Sequence, residues 1–305
     1  MSAEQSSRDL SFAPVLSLSG RPRKPVVAAR LVGAALRTLR ESRGQAIKDV
    51  AHVIRASHSK ISRMERGENP QRELDVLDLM AAYGVTDEQV VAGMKELVRE
   101  ANAPVWWHKY NDVLPGWFRR LIGMEDSAIA LNTYEMNLVP GLLQTRAYAR
   151  AIVKAGLPEA TDEQIERRVE LRILRQELLR GEAPPRIKAL LDESVLLRPR
   201  GGFAVMVEQL THLKYLAEHD IANVRIVSFG KAANLTPPTS VTHLTFGPGG
   251  PPELIYLEHI DSAHYLTGKD DLRSYKLVLE ELGKVAETRT RSMEMVDEAI
   301  TRFSR

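Results

Sequence analysis

The sequence predicts two regions of different class. One is a mainly α N-terminal region of about five short helices. The other, after a further helical segment, is a C-terminal region that is α+β or α/β. Three observations predict this. The chain has 305 residues, enough for two or three domains at ~100–200 residues each. Apolar positions recur at helical spacing through residues 30–99, whereas beyond Pro185 short apolar runs alternate with helical patterns and turn signals. Charge is also divided: from Arg21 to Arg66, 12 Lys/Arg face three acids, a net +9, while residues 67–305 carry −6. A compact basic block ahead of an acidic body points to a polyanion partner for the first region only.

Residues 1–25 are rich in Ser, Pro and Arg without periodicity and read as a flexible tail ending in Arg21-Pro22-Arg23-Lys24-Pro25. Residues 26–100 form the first domain. Leu31, Ala35, Leu36 and Leu39 predict a helix stopped by Gly44, and Ala46–Arg55 a second with Val50, Ala51 and Ile54 inward. Ser57 precedes a third, His58–Arg66, with Ile61 and Met64 inward; Gly67 ends it and Asn69-Pro70 marks a turn. Glu73–Tyr83 and Asp87–Arg99 complete the set.

Residues 101–305 form the second region, helical over 101–183 and α+β over 184–290. Its aromatic opening, Pro104–Tyr110, suits domain packing better than base stacking. Helices are expected at Trp117–Met124, around Ala128–Tyr134, at Leu142–Ala155 and at Asp162–Arg180, the last with a solvated charged face. Strands follow at Ile187–Leu191, Val224–Phe229, Val241–Phe246 and Glu253–Glu258, the last two around the turn Gly247-Pro248-Gly249-Gly250. Helices are expected at Ala204–His219 and from about Asp270 to Ala286.

Composition narrows the function classes. With 44% hydrophobic and 27% charged residues the chain has an ordinary globular balance, which excludes wholesale disorder. Cysteine is absent, so disulfides, thiolate zinc sites, iron–sulfur clusters and a cysteine nucleophile are excluded. The charge-free run Leu235–Pro252 is too rich in Pro, Gly and Thr to span a membrane, and Leu10–Gly20 makes a poor signal peptide. A cytoplasmic location without membrane contact is expected.

Helices two and three, joined by a short turn, have helix-turn-helix spacing. Ser57 can cap the exposed amides of the third helix, whose partial positive charge suits a phosphate or base edge. With Ile61 and Met64 inward, His58, Ser59, Ser62 and Arg63 point outward. Arg63 is long enough for bidentate contact with guanine. Lys60 and Arg66 flank this face as phosphate neutralisers, so double-stranded DNA is the expected partner.

Leu36–Val85 resembles the lambda-repressor-like, XRE-type helix-turn-helix domain. The residues are Leu39-Arg40, Gly44, Val50-Ala51, Ser57-x-Ser59-x-Ile61-Ser62-Arg63-x-Glu65-x-Gly67, Pro70 and Tyr83-Gly84-Val85. The resemblance implies an ion pair between Arg40 and Glu65, base contacts from His58, Ser59 and Arg63, and a backbone position for Lys60. Ala46 and Ile47 depart from the family's polar cap and glutamine, and Arg55 stands where glycine is usual. Arg43, Lys48 and Arg55 can compensate for the missing phosphate anchors.

Further runs resemble one group of actinobacterial regulators, WhiJ-like and antitoxin-like: Trp106-Trp107-x-x-Tyr110, Thr133-Tyr134-Glu135, Val139-Pro140-Gly141-Leu142-Leu143-Gln144-Thr145, Glu166-Arg167-Arg168-Val169-x-Leu171-Arg172, Leu191-Asp192-Glu193 and Tyr256-x-Glu258. That resemblance implies a large second domain of uncharacterised function and a small BldB-like protein as a candidate partner. Because one helix-turn-helix reads about half a turn of DNA, this acidic body is the expected place for dimerisation and for effector or partner binding. It names no small-molecule effector and no catalytic residue.

No motif predicts a cofactor, a metal or catalysis. His259 and His264 with Glu258 and Asp261 match no established zinc spacing. Asp192 and Glu193, adjacent on a strand, point to opposite faces. Three readings stand: a homodimeric transcription regulator sensing a ligand or partner, an antitoxin-like protein neutralising a small partner, and an enzyme fused to a DNA-binding module.

Overall fold

The computed structural model describes residues 24–68, 71–232, 237–247 and 252–305. Most of the N-terminal tail, the Asn69-Pro70 turn and positions 248–250 of the glycine-rich turn lie outside the described residues. The described residues fall into two compact units, the first ending at Trp106 and the second made of Trp107–Gly247 and Glu253–Arg305. The tryptophan pair straddles that division, with Trp106 39% exposed and Trp107 buried.

The first unit is all helix. α1 (Pro25–Ser42) opens on a proline whose fixed φ suits a first turn, and stops where Gly44 turns to φ +63°. α3 (His58–Glu65) is capped by Ser57, whose hydroxyl accepts the Lys60 N–H at 3.2 Å. α4 (Glu73–Ala82) and α5 (Glu88–Ala101) close the bundle; Asp87 caps α5 by accepting from Gln89 N and Val90 N. Leu36, Val50, Ile61, Val76, Leu79, Met80 and Met94 are among its shared core residues.

Two glycines let α1 approach the end of α3. A Cβ on Gly33 would lie 2.5 Å from the Met64 carbonyl oxygen, and one on Gly67 would lie 2.6 Å from that of Ala29. The loop after α3 is clamped by Gln71 and Asn102. Asn102 accepts from Gln71 N and donates to Gln71 O, while Gln71 donates its side-chain amide to Met64 O at 3.0 Å.

The second helix is shorter than the expected Ala46–Arg55. α2 spans only Ile47–Val50. Ala46 has no side-chain oxygen to cap it, so Asp49 reaches back and accepts the Ala46 N–H at 2.8 Å. Beyond Val50 the bonds tighten to three-residue turns (Val53 N to Val50 O, Arg55 N to His52 O), and Arg55 adopts φ +50°. This is the left-handed conformation that a side chain disfavours by ~1–2 kcal/mol.

The second unit is α+β around a six-stranded mixed sheet, order β3-β2-β1-β4-β5-β6. The strands are β1 (Ala128–Glu135), β2 (Arg186–Asp192), β3 (Ala222–Val227), β4 (Val241–Phe246), β5 (Glu253–Glu258) and β6 (Ala263–Leu266). β1, β2 and β3 run parallel, and β4, β5 and β6 add antiparallel to the other side of β1. α6 (Gly116–Ser127) leads into β1; α7 (Arg146–Gly156) and α8 (Asp162–Leu174) cross from β1 to β2. α9 (Ser194–Leu197) and α10 (Phe203–Glu218) cross from β2 to β3, and the single turn α11 (Phe229–Ala232) follows β3. α12 (Lys269–Val285) and α13 (Arg289–Phe303) end the chain.

Two further expectations are corrected, and two elements are added. Ala128–Tyr134, expected as helix, is the central strand β1. Apolar side chains lie on both of its faces, Tyr134 against α12 and Leu131 on the opposite side, so the run hides the period-two alternation. Asp162–Arg180 is α8 followed by a 3₁₀ turn over Arg175–Arg180. β6 and α13 went unread in the sequence. α13 covers the β3 edge, where buried Ser292 accepts the Ile226 N–H at 2.9 Å, closing an otherwise open backbone.

The pleat of β1 sorts the sheet into two faces. Tyr134 pairs in register with Leu190 and Val241, and all three pack with Leu279 and Leu282 of α12. Thr133 and Glu135 therefore point to the opposite face, where Thr133 meets Thr242, itself opposite Tyr256.

Gly33→Ala should lower the melting temperature of the N-terminal unit by the equivalent of about 1–3 kcal/mol, since backbone must move to admit the methyl. Arg55→Gly should raise it by about 1 kcal/mol by relieving the left-handed side chain. Thermal unfolding followed by circular dichroism reads both signs.

Candidate functional site

The recognition-helix face is built on Ile61 and Met64, both buried, which pin α3 to the core. Its tilt is held by Arg40 and Glu65, which the fold brings together from α1 and α3. Arg40 Nε donates to Glu65 Oε1 at 2.6 Å and Nη2 to Oε2 at 2.8 Å, while Nη1 donates to Gln45 O at 2.8 Å. Their side chains are only 10% and 6% exposed. The hydrogen bonds that Glu65 accepts raise the Arg40 pKa. Burial, with the Glu65 charge beside it, pushes the Tyr83 hydroxyl up to about 12.

The seven outward residues expected from the sequence divide into two sets. Ser57, His58, Ser59 and Arg63 are exposed, and among the described residues the Arg63 side chain has no acidic partner. Lys60, Ser62 and Arg66 are engaged within the protein. Lys60 Nζ donates to Asp75 Oδ2 at 2.6 Å, and Arg66 grips Glu68 through Nε (2.6 Å) and Nη2 (3.0 Å) while also donating to the Ser62 hydroxyl. Their partners, a buried Asp on α4 and a Glu past α3, carry no helical-face signal in the sequence. Much of the basic block is thus matched internally. Arg43, Lys48, Arg55 and Arg63 remain exposed around α2 and α3.

The second unit contains a pocket of about 870 Å³ on the Thr133 face of the sheet. One wall is the run Val139–Gln144, a single 3₁₀ turn over Gly141–Leu143 between extended residues, fixed by buried polar side chains. Gln209 donates to Leu143 O at 2.8 Å and accepts from Thr145 N at 2.7 Å; Gln144 donates to Val139 O at 2.7 Å; the Tyr148 hydroxyl accepts from Val139 N. Phe118, Leu121, Leu131 and Ile152 supply apolar surface.

The charged lining was not foreseen as a site. Arg175 pairs in two-pronged fashion with Glu125 (Nε to Oε2 3.0 Å, Nη2 to Oε1 2.7 Å), both buried. Burial pushes the Glu125 carboxyl up, against the pull of Arg175. Arg172, one α8 turn earlier, donates through Nη1 to Gln144 Oε1 at 2.9 Å, and burial lowers its pKa to about 10. Glu135 accepts from the Ser240 hydroxyl at 2.7 Å and is pushed up to about 7 by burial. Glu258 accepts from the Tyr256 hydroxyl at 2.7 Å.

The charged face of α8 is not simply solvated, as expected from its sequence. Arg167 donates to Lys109 O and pairs with Asp112, Arg168 donates to Val113 O, and Arg172 turns to the pocket. Their acceptors are distant carbonyls and amides that a helical wheel cannot show. Of the other candidates, Asp192 accepts from Tyr134 OH and Ser194 N, and Glu193 from Phe229 N. The His259 and His264 rings stand edge to face 5.2 Å apart, and no group of three or more metal-binding side chains gathers among the described residues. Nor is any described helix long and apolar enough to cross a membrane.

Residues 31–92 match a family model described as a helix-turn-helix domain, and residues 118–298 match one described as a domain of unknown function, DUF5753. No curated protein and no solved structure matches the chain. The first match covers α2, α3 and the Arg40–Glu65 pair; the second covers the sheet, the pocket and most of α13.

Breaking the Arg40–Glu65 pair tests its structural weight. Arg40→Ala or Glu65→Ala alone should cost about 3 kcal/mol by stranding a buried charge, and the double variant less than the sum. A double-mutant cycle from urea melts reads the coupling, and a value near zero would make these two independent charges.

Proposed function

Because the chain belongs to the DUF5753 family and carries a helix-turn-helix domain ahead of that domain, we propose that it is a sequence-specific transcriptional regulator. In this reading the large domain dimerises the chain and senses a ligand or small partner protein. The observation that carries the reading is the α3 face. His58, Ser59 and Arg63 project from a helix whose orientation is set by the Arg40–Glu65 pair. Arg63 reads guanine, and Arg43, Lys48 and Arg55 hold phosphates on the α2 side. One helix-turn-helix reads about half a turn of duplex, so two copies on half-sites ~34 Å apart supply useful affinity. Residues 67–305 carry net −6 and are repelled by DNA, which suits a body for assembly and sensing.

Resemblance of the Val139–Thr145 run to the WhiJ-like, antitoxin-like group supports a small BldB-like protein as the partner of this domain. The chain acts by binding rather than turnover. Its acid pair, Asp192 and Glu193, is occupied in holding β2 to α9 and α11.

Binding sites selected from random duplex DNA test the reading. Arg63→Ala should cost about 1–3 kcal/mol and relax one base pair. Lys60→Ala should weaken selected and random DNA alike, whereas Asp75→Asn, which frees Lys60, should strengthen both and steepen the salt dependence. Unchanged affinity in all three folded variants would remove α3 from the interface.

Assembly is read by light scattering and footprinting. The full chain should be a dimer protecting two half-sites, and residues 1–100 a monomer binding weakly. A monomeric full chain protecting a single half-site as tightly as that fragment would overturn the dimer.

A further inference from the structure

The pocket of the second unit contains charges of both signs that the protein only half answers. Arg172 has five N–H donors, and among the described residues one of them, on Nη1, meets an acceptor, Gln144 Oε1. No carboxylate among the described residues lies within ion-pair distance of it, because Glu125 is committed to Arg175 in both prongs. Across the pocket, Glu135 and Glu258 each accept from one hydroxyl, of Ser240 and Tyr256, and neither has a cationic partner. For Arg172 and Glu135, which burial holds away from water, a half-answered charge is costly, and proteins retain such groups where a ligand completes them; Glu258 stands at the exposed end of β5.

These groups reach one pocket from three different elements. Glu135 lies on β1 and Glu258 on β5, both on the Thr133–Thr242–Tyr256 face, while Arg172 enters from α8 beside the Val139–Gln144 wall. A simple anion would satisfy Arg172 and leave the two carboxylates without a cation. A simple amine would do the reverse. A molecule with both charges completes the set, and the apolar walls of Phe118, Leu121, Leu131 and Ile152 fit a hydrophobic body between them. At about 870 Å³ the space exceeds a single amino acid and suits a ligand of short-peptide size.

We propose that this pocket binds an apolar zwitterion of the amino-acid or short-peptide class, its carboxylate on Arg172 and its ammonium at Glu135 and Glu258. Burial pushes the Glu135 carboxyl up to about 7. A bound ammonium would favour its ionised form. Gln144 is the positioning residue. It presents its oxygen to Arg172 while its amide nitrogen is held by Val139 O, which ties the specific run of the wall to the charge it orients.

The other large space in this unit, about 880 Å³ beside β3, lacks this incompleteness. Of its three arginines Arg186 is exposed to solvent and the other two are spent on the protein. Arg225 donates to the Glu287 and Gly283 carbonyls at the end of α12, and Arg289 pairs with Asp220 at 2.7 Å.

The assignment rests on the reading of the large domain as a sensor, and its test separates the two. Titration calorimetry of the full chain uses the dipeptide L-phenylalanyl-L-leucine, its N-acetyl form and its C-terminal amide. The free dipeptide should bind, and each blocked form should bind about tenfold or more weakly, the loss expected for a charged hydrogen-bonding group. Glu135→Gln should erase the preference for the free amine, and Arg172→Gln that for the free carboxylate, with folding checked by circular dichroism. Failure of the free dipeptide to bind the wild-type chain, or equal binding of the blocked forms, would overturn the proposal without any variant. Repeating the DNA titration with dipeptide present judges the sensor reading alone. Pocket binding with unchanged DNA affinity would overturn sensing and leave the zwitterion site standing.

Discussion

A desolvated guanidinium must find an acceptor, and each unit of this chain is organised around how that demand is met. In the first, Arg40 reaches from the end of α1 to Glu65 at the end of α3 and to the Gln45 carbonyl between α1 and α2. Three segments are thereby fixed by one side chain. In the second, Arg175 and Glu125 join the end of α8 to α6, with the Phe118 ring 4.8 Å from the guanidinium. Stranding one partner of such a pair costs about 3–5 kcal/mol, so each acts as a lock on geometry more than as a net source of stability.

Where the demand is met fully, the side chain is tied into the fold; where it is met in part, donors are left facing open space. Arg225 shows the first outcome, bonding the last carbonyls of α12 and the loop to α13. Arg172 shows the second, with one neutral acceptor and a pocket in front of it. The recognition face follows the same division. Lys60 and Arg66 are answered by Asp75 and Glu68, leaving Arg63 exposed at the centre of α3. Internal pairing of the flanking cations reduces indiscriminate attraction to polyanions and leaves Arg63 exposed.

Close backbone packing supports both arrangements. Gly33 and Gly67 let α1 lie against the end of α3, so that the Arg40 fork reaches Glu65 without stretching. In the sheet, the two-residue period of β1 does comparable work. Tyr134 anchors one face on α12, and Thr133 and Glu135 on either side of it open the other face to the pocket.

The sequence by itself determined the helical N-terminal region, the placement of α3 with Ser57 as its cap, the pairing of Arg40 with Glu65 as a family resemblance, and the strands β2 to β5. These features are local: a 3.6-residue period, a cap within three residues of its amide, or a short apolar run between turns. The left-handed Arg55 was legible too, because one position in a known turn demands it. Only the tertiary structure decided the rest. β1 reads as helix because its pairing strands, 50 or more residues distant, and the α12 helix packed on one face are set only by the fold. α13 is needed because β3 has an edge to cover, and no local signal records an edge. The partners of Lys60, Arg66, Arg167 and Arg172 are set by the fold, since a long charged side chain looks the same in sequence whether it meets water, a carboxylate or a carbonyl. The pocket is the extreme case. Glu135, Arg172 and Glu258 come from a strand, a helix and another strand, and only the sheet brings them to one face.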